Sequence, residues 1–131
     1  MPGAARANDS VTAQDTHIVL VPSPSGTTPT PQMLPFNGRL VSGLSTNVLV
    51  NGRPVAVQGS VAMNQPPHIP VGGTFQKPPS NQGTVQRGSA TVTANGKAVA
   101  RTGDTVTTCN DPADLPAGQI VSGSTDVVVG G

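Results

Sequence analysis

The chain has 131 residues, among them 16 Gly, 14 Pro and 2 Phe, with no Trp or Tyr and a net charge of +1. Charged residues make up 10%, against about a quarter in ordinary domains. That excludes a charge-rich helical bundle, lacks the basic surplus that nucleic acid demands, and differs from the highly charged composition of disordered tails. Eighteen Val and fifteen Thr, β-branched residues that suit pleated strands, predict an all-β fold with little or no helix.

In chain order, Met1-Pro2-Gly3-Ala4-Ala5-Arg6 contains no apolar core and does not read as a signal peptide. No apolar run reaches the length of a bilayer span. Residues of about 22–39, with Pro22, Pro24, Pro29, Pro31 and Pro35, read as an ordered loop or polyproline-like cover rather than strand. Val48-Leu49-Val50-Asn51-Gly52 follows and turns back through Arg53-Pro54-Val55-Ala56-Val57-Gln58-Gly59-Ser60. A second proline-rich loop of about 64–84 carries Pro66, Pro67, Pro70, Pro78 and Pro79. Val92-Thr93-Ala94-Asn95-Gly96 then repeats the first motif, and Lys97-Ala98-Val99-Ala100-Arg101-Thr102-Gly103-Asp104 repeats its return. One short turn is expected near Pro112–Leu115, and Val127-Val128-Val129-Gly130-Gly131 forms the third copy.

Each copy has a serine three residues before its first valine, at Ser45, Ser89 and Ser124, with Gly43, Gly88 or Gly123 just upstream. Asn-Gly and Gly-Gly tolerate the two positive φ angles of a type I′ turn, so each copy predicts a hairpin. The third copy has no return arm of its own, and Pro2 to Asp9 matches the missing one. A lone two-stranded hairpin is marginal in water, so three must share a core about a pseudo-threefold axis. The whole of 1–131 reads as one domain, with arms at about 43–60, 88–104 and 123–131, the last closed by 2–9.

The candidate chemistry is sparse. His17 lies eight residues after Asp9, His68 eight after Ser60, and Cys109 five after Asp104, so one borderline or soft ligand follows each return arm. Imidazole and thiolate suit zinc, or less specifically iron. The spacing matches no zinc-finger pattern, and two surface histidines with a buried structural cysteine would give the same sequence. A fourth ligand would come from Asp15, Asn64, Asp111 or water. The lone cysteine points to assembly in a reducing compartment. No Gly-x-Ser-x-Gly elbow and no Gly-x-x-x-x-Gly-Lys-Ser/Thr loop is present, and no catalytic residues are assigned; the expectation is a non-enzyme.

Pro2-Gly3-Ala4-Ala5-Arg6, Arg53-Pro54-Val55-Ala56-Val57, Lys97-Ala98-Val99-Ala100-Arg101-Thr102-Gly103-Asp104 and the Gly-Ser halves at 43–52, 88–96 and 123–131 together resemble the PAAR-repeat family. The resemblance implies a small conical β structure seated on a homotrimeric β-helical spike (VgrG-like), one tip per trimer. It sharpens a contractile injection system, whether type VI secretion, a phage-tail-like particle or a phage tail. It implies a metal, typically zinc, near the apex through histidines and a cysteine, here His17, His68 and Cys109. The family's third histidine is missing, and the middle arm reads Val57-Gln58-Gly59-Ser60 where the family has Arg-x-Gly-Asp. The implied protein is cytoplasmic during assembly, then stands at the particle tip and contacts the target membrane transiently, with effector cargo bound rather than fused. Two other readings compete: an adhesive or carbohydrate-binding β module using the proline-rich loops, and a metal-dependent hydrolase.

Overall fold

Two kinds of hairpin alternate along the chain in the computed structural model, which describes residues 2–130. The small kind is β3 (Leu49–Val50) with β4 (Arg53–Pro54), and β8 (Thr93–Ala94) with β9 (Lys97–Ala98). Their turn residues have φ of 55° and 77° at Asn51-Gly52, and 53° and 77° at Asn95-Gly96, the paired left-handed conformation of a type I′ turn. In the third copy Ala4 N donates to Val127 O and Val129 N to Pro2 O, both at 2.9 Å, so the N-terminal segment supplies the return arm. Gly131 of the third turn, and Met1 of the leader reading, lie outside the described residues.

The threefold repetition reaches individual atoms. Ala5 N donates to Ala100 O (2.9 Å), Ala100 N to Ala56 O (2.9 Å) and Ala56 N to Ala5 O (2.8 Å), a closed triangle of backbone hydrogen bonds. All three alanines are fully buried, because three chains meeting at one axis leave room only for a methyl group. A second ring lies at the serines. Ser45 Oγ donates to Asn95 Oδ1, Ser89 Oγ to Gly130 O (2.6 Å) and Ser124 Oγ to Asn51 Oδ1 (2.6 Å), so each copy bonds the turn of the next. Each return arm ends in the same turn, with Asp9, Ser60 and Asp104 N donating to Arg6, Val57 and Arg101 O at 2.9–3.0 Å. Asp9 and Asp104 also bind the guanidinium of Arg6 and Arg101, whereas Ser60, facing Val57, has no such partner.

The larger hairpins form a ring. β1 (Ser10–Ser23), β2 (Gly26–Ser42), β5 (Val61–Asn64), β7 (Gln82–Val85), β10 (Thr105–Thr108) and β11 (Leu115–Ile120) pair in that order, all antiparallel, and β11 returns to β1. Closure removes the free edges that an open sheet exposes, except where the β1–β2 hairpin runs on beyond β5. Val11, Phe36, Leu40, Ala62, Val85, Val106 and Ile120 fill the interior, and Ala4, Val50, Val55, Val57, Ala94, Val99 and Val129 form a second core among the small hairpins. No helix occurs among the described residues, and 111–113 is a bend.

The first proline-rich stretch corrects the sequence reading: 22–39 is the end of β1 and most of β2, a continuous hairpin closed at Pro24-Ser25. The register explains why proline is tolerated there. Leu40 N donates to Asp9 O, so even-numbered residues of β2 direct their N–H groups to β1. Pro29, Pro31 and Pro35 are odd-numbered and would direct theirs to the opposite edge, which β5 pairs only from Gly38 onward. A residue without a donor costs nothing at an unpaired edge. The second stretch crosses the far end of the ring mostly without strand, pairs briefly with β1 as β6 (Thr74–Phe75), and enters β7.

Candidate metal centre

The ring carries β1 past its neighbours, and its side chains alternate inward along the extended strand. Asp15 and His17 therefore point the same way two residues apart, both into the interior. Cys109 follows directly on β10, and His68 sits on the loop leaving β5. The structure brings His17, His68 and Cys109 together with Asp15, one ligand atom from each lying within 4.8 Å of every other. All four are buried. Of the candidates for a fourth ligand, Asp15 is in the cluster, Asn64 contacts His68 from behind, and Asp111 stays outside it.

The carboxylate is the centre of the network. Asp15 Oδ2 lies 2.8 Å from His68 Nε2 and accepts from Cys109 Sγ at 3.6 Å. Its Oδ1 accepts from Thr108 Oγ1 at 2.5 Å and Asn110 Nδ2 at 3.4 Å. Three asparagines brace the surrounding loops. Asn110 Oδ1 accepts Thr16 N–H at 2.6 Å, Asn81 Oδ1 accepts His68 N–H at 2.8 Å, and Asn64 Oδ1 accepts Asn37 N–H at 2.9 Å while its amide nitrogen faces His68 Nδ1. Asn81 has φ of 57°, a left-handed conformation asparagine adopts more readily than most residues. Sequence reasoning missed Thr108, Asn81 and Asn110; the first falls in a strand pattern and the others in loops, and nothing in their spacing ties them to Asp15.

His17 supplies the test of fit. Both its ring nitrogens are buried without a hydrogen-bond partner, an arrangement that costs free energy unless something else engages them. Burial, and then the neighbouring His68 ring 5.0 Å away, hold its pKa below the ordinary imidazole value, which keeps a lone pair free. Burial, and then the Asp15 charge, push the Cys109 thiol upward; a bound dication would reverse that balance and favour the thiolate. Bond lengths of 2.0–2.3 Å place the ligand atoms of a tetrahedral zinc about 3.3–3.8 Å apart. Cys109 Sγ and Asp15 Oδ2, 3.6 Å apart, already stand at that spacing; His68 Nε2, 2.8 Å from the carboxylate, would move out slightly and the wider pairs close in, so the residues fit a metal.

Residues 76–131 match the family model of the PAAR motif. That segment carries a PAAR motif and is similar to the PAAR-repeat family. The match spans the second and third copies, and the cyclic hydrogen bonds of Ser45, Ala56 and Asn51 show the first copy built on the same structural plan. Among curated proteins no match is found. PAAR proteins form a structural spike-tip family, and the motif suggests a spike-tip-related role in contractile injection systems of the type VI kind.

Proposed function

We propose that this PAAR chain caps a homotrimeric spike, one copy per trimer, through the face formed by its three small turns. The observation that carries this is the equivalence of Val48, Val92 and Val127, whose exposures are 39%, 40% and 39%. A single chain thus presents the same apolar side chain three times around one axis, and Leu49 and Val128 beside them are also exposed. A homotrimer offers three identical patches, and only a threefold face satisfies all three at once.

Asp15, His17, His68 and Cys109 hold one metal at the opposite end of the ring. Two imidazoles, a thiolate and a carboxylate make a four-donor set suited to a closed structural zinc site, with iron the other ion these donors accept. Bound there, the ion supplies cross-linking of β1, the β5–β7 loop and the end of β10. The tip is assembled on its spike in the cytoplasm and driven with the particle into or through a target envelope, touching the membrane only in passage.

Co-expression with a trimeric spike tests the cap: a complex of three spike chains to one tip is expected, and Val92→Glu should abolish it. A monomer that ignores the spike refutes the reading. Metal analysis tests the site, with about one zinc or iron per chain expected and loss on Cys109→Ala.

A further inference from the structure

Two clefts reach the cluster from different sides. One of about 230 Å³ ends on His68 and is walled by Leu34, Pro35, Pro66, Pro67 and Ile69. The other, of about 200 Å³, ends on His17 and Cys109 and has Lys77, Ser80 and Asp114 at its rim. That volume is several times the roughly 30 Å³ occupied by one water, enough for an ion with part of its hydration shell. The first wall carries no charged group, whereas the second cleft carries Asp114 and Lys77, with Asp111 three residues before Asp114 in the chain. Asp111 Oδ2 is buried without a partner, and its charge acts on His17. Across the mouth Lys77 Nζ donates to Pro112 O at 3.1 Å.

We propose that this second cleft is the route by which the metal enters and leaves, with Asp114 and Asp111 drawing the cation inward and the Lys77–Pro112 hydrogen bond acting as a strap across the mouth. The inference rests on the metal reading above and adds a direction of access to it. Of the two clefts only the second carries a carboxylate to attract a dication, and the one cation on its rim, Lys77, has its ammonium turned to Pro112 O. The floor favours the same side, since His17 has free nitrogens at the base of this cleft, while His68 presents the other cleft with a ring already engaged by Asp15 and Asn64.

The test follows cobalt uptake by its thiolate absorption, and zinc release to a chromogenic chelator, in the full chain. Lys77→Ala removes one exposed hydrogen bond, worth about a factor of 2 to 10 in equilibrium, and should speed release by that factor. Asp114→Trp plugs the mouth and should slow both rates at least about fivefold while one metal per chain is retained. Asp114→Lys leaves the mouth open with reversed charge and should slow uptake. Ile69→Trp, on the apolar cleft, should change neither rate. Unchanged release in Lys77→Ala refutes the strap. Unchanged rates in both Asp114 variants, or slowing by Ile69→Trp, refute the route while leaving the metal site intact. A wild-type chain that takes up no metal refutes the site and the route together.

Discussion

If the threefold axis is an energetic feature, the three serine-to-alanine variants should cost the same. Ser45, Ser89 and Ser124 are buried, and each Oγ accepts two backbone N–H groups: Asn47 and Val48, Thr91 and Val92, or Asp126 and Val127, at 2.9–3.3 Å. Each also donates to the turn of the next copy. Losing a side-chain cap of backbone N–H groups costs typically about 1 kcal/mol, and the lost ring bond adds about 0.5–1.5 kcal/mol. Each variant should therefore lose about 1.5–2.5 kcal/mol. An unfolding entropy of about 2.1 cal/mol/K per residue gives about 0.28 kcal/mol/K for 131 residues, so Tm should fall by about 5–9 °C in all three. Denaturant titration of the metal-free chain gives the same comparison isothermally. Ser124→Ala is the decisive member, because its copy is assembled from the two ends of the chain. One variant within about 0.3 kcal/mol of wild type, or a spread above about 1.5 kcal/mol among the three, would refute the reasoning.

Phe36→Ala removes the largest fully buried side chain, which lies over Gly38 and Gly83; a cost of about 3–5 kcal/mol should lower Tm by at least about 10 °C in a thermal melt. Gly3→Ala would place a methyl group against the Ser124 backbone oxygen, and the overpacking, about 1–3 kcal/mol, should loosen the junction of the chain ends, read by faster amide exchange at Ala4 and Ser124. Chelation should lower Tm by about 10 °C, since ligand at a hundred times its Kd contributes about 2.7 kcal/mol. The metal-free chain should also be most stable between the ordinary pKa values of its two buried groups. His17, lowered from 6.5, contributes stability present above that value and lost as pH falls; Cys109, raised from 9.0, contributes stability present below that value and lost as pH rises. Melting curves across pH should lose the acid arm in His17→Gln and the alkaline arm in Cys109→Ser.

The small hairpins were legible because their turns are local chemistry. Asn51-Gly52 and Asn95-Gly96 each place two residues at positive φ, a demand that few residue pairs meet. The return arm at Pro2–Asp9 was legible only through the repeat, since nothing local in Gly3-Ala4-Ala5 signals pairing with the far end of the chain. β2 was not legible, because proline is judged by the donor it lacks, and whether that donor is needed depends on which edge faces a neighbour. Its alternation of exposed Pro29, Pro31, Met33 and Pro35 with inward Leu34, Phe36 and Leu40 was masked by the density of prolines. At the metal cluster the ligand types were readable, but Thr108, Asn81 and Asn110 act through contacts between loops distant in sequence.

The symmetry is strict at one end of the molecule and broken at the other, and the break serves the site. A perfect threefold ring would bring three copies of one side chain to the axis and nothing else. Here the hairpin that follows Asp9 runs to 14 and 17 residues and delivers Asp15 and His17 from one strand. The hairpin after Ser60 carries His68 in its connecting loop, and the one after Asp104 is short, with Cys109 after its first strand. Three unequal hairpins thus provide four different donors to one point. The base, held by the alanine triangle and the serine ring, tolerates this because the insertions lie beyond Asp9, Ser60 and Asp104, where each return arm has already closed. Val57 and Ser60 in the middle arm fit the same division: the Arg–Asp pair is dispensable in one copy because Ser60 Oγ still accepts Val57 N–H at 2.9 Å and donates to Gly43 O at 2.8 Å, so the turn survives without the ion pair.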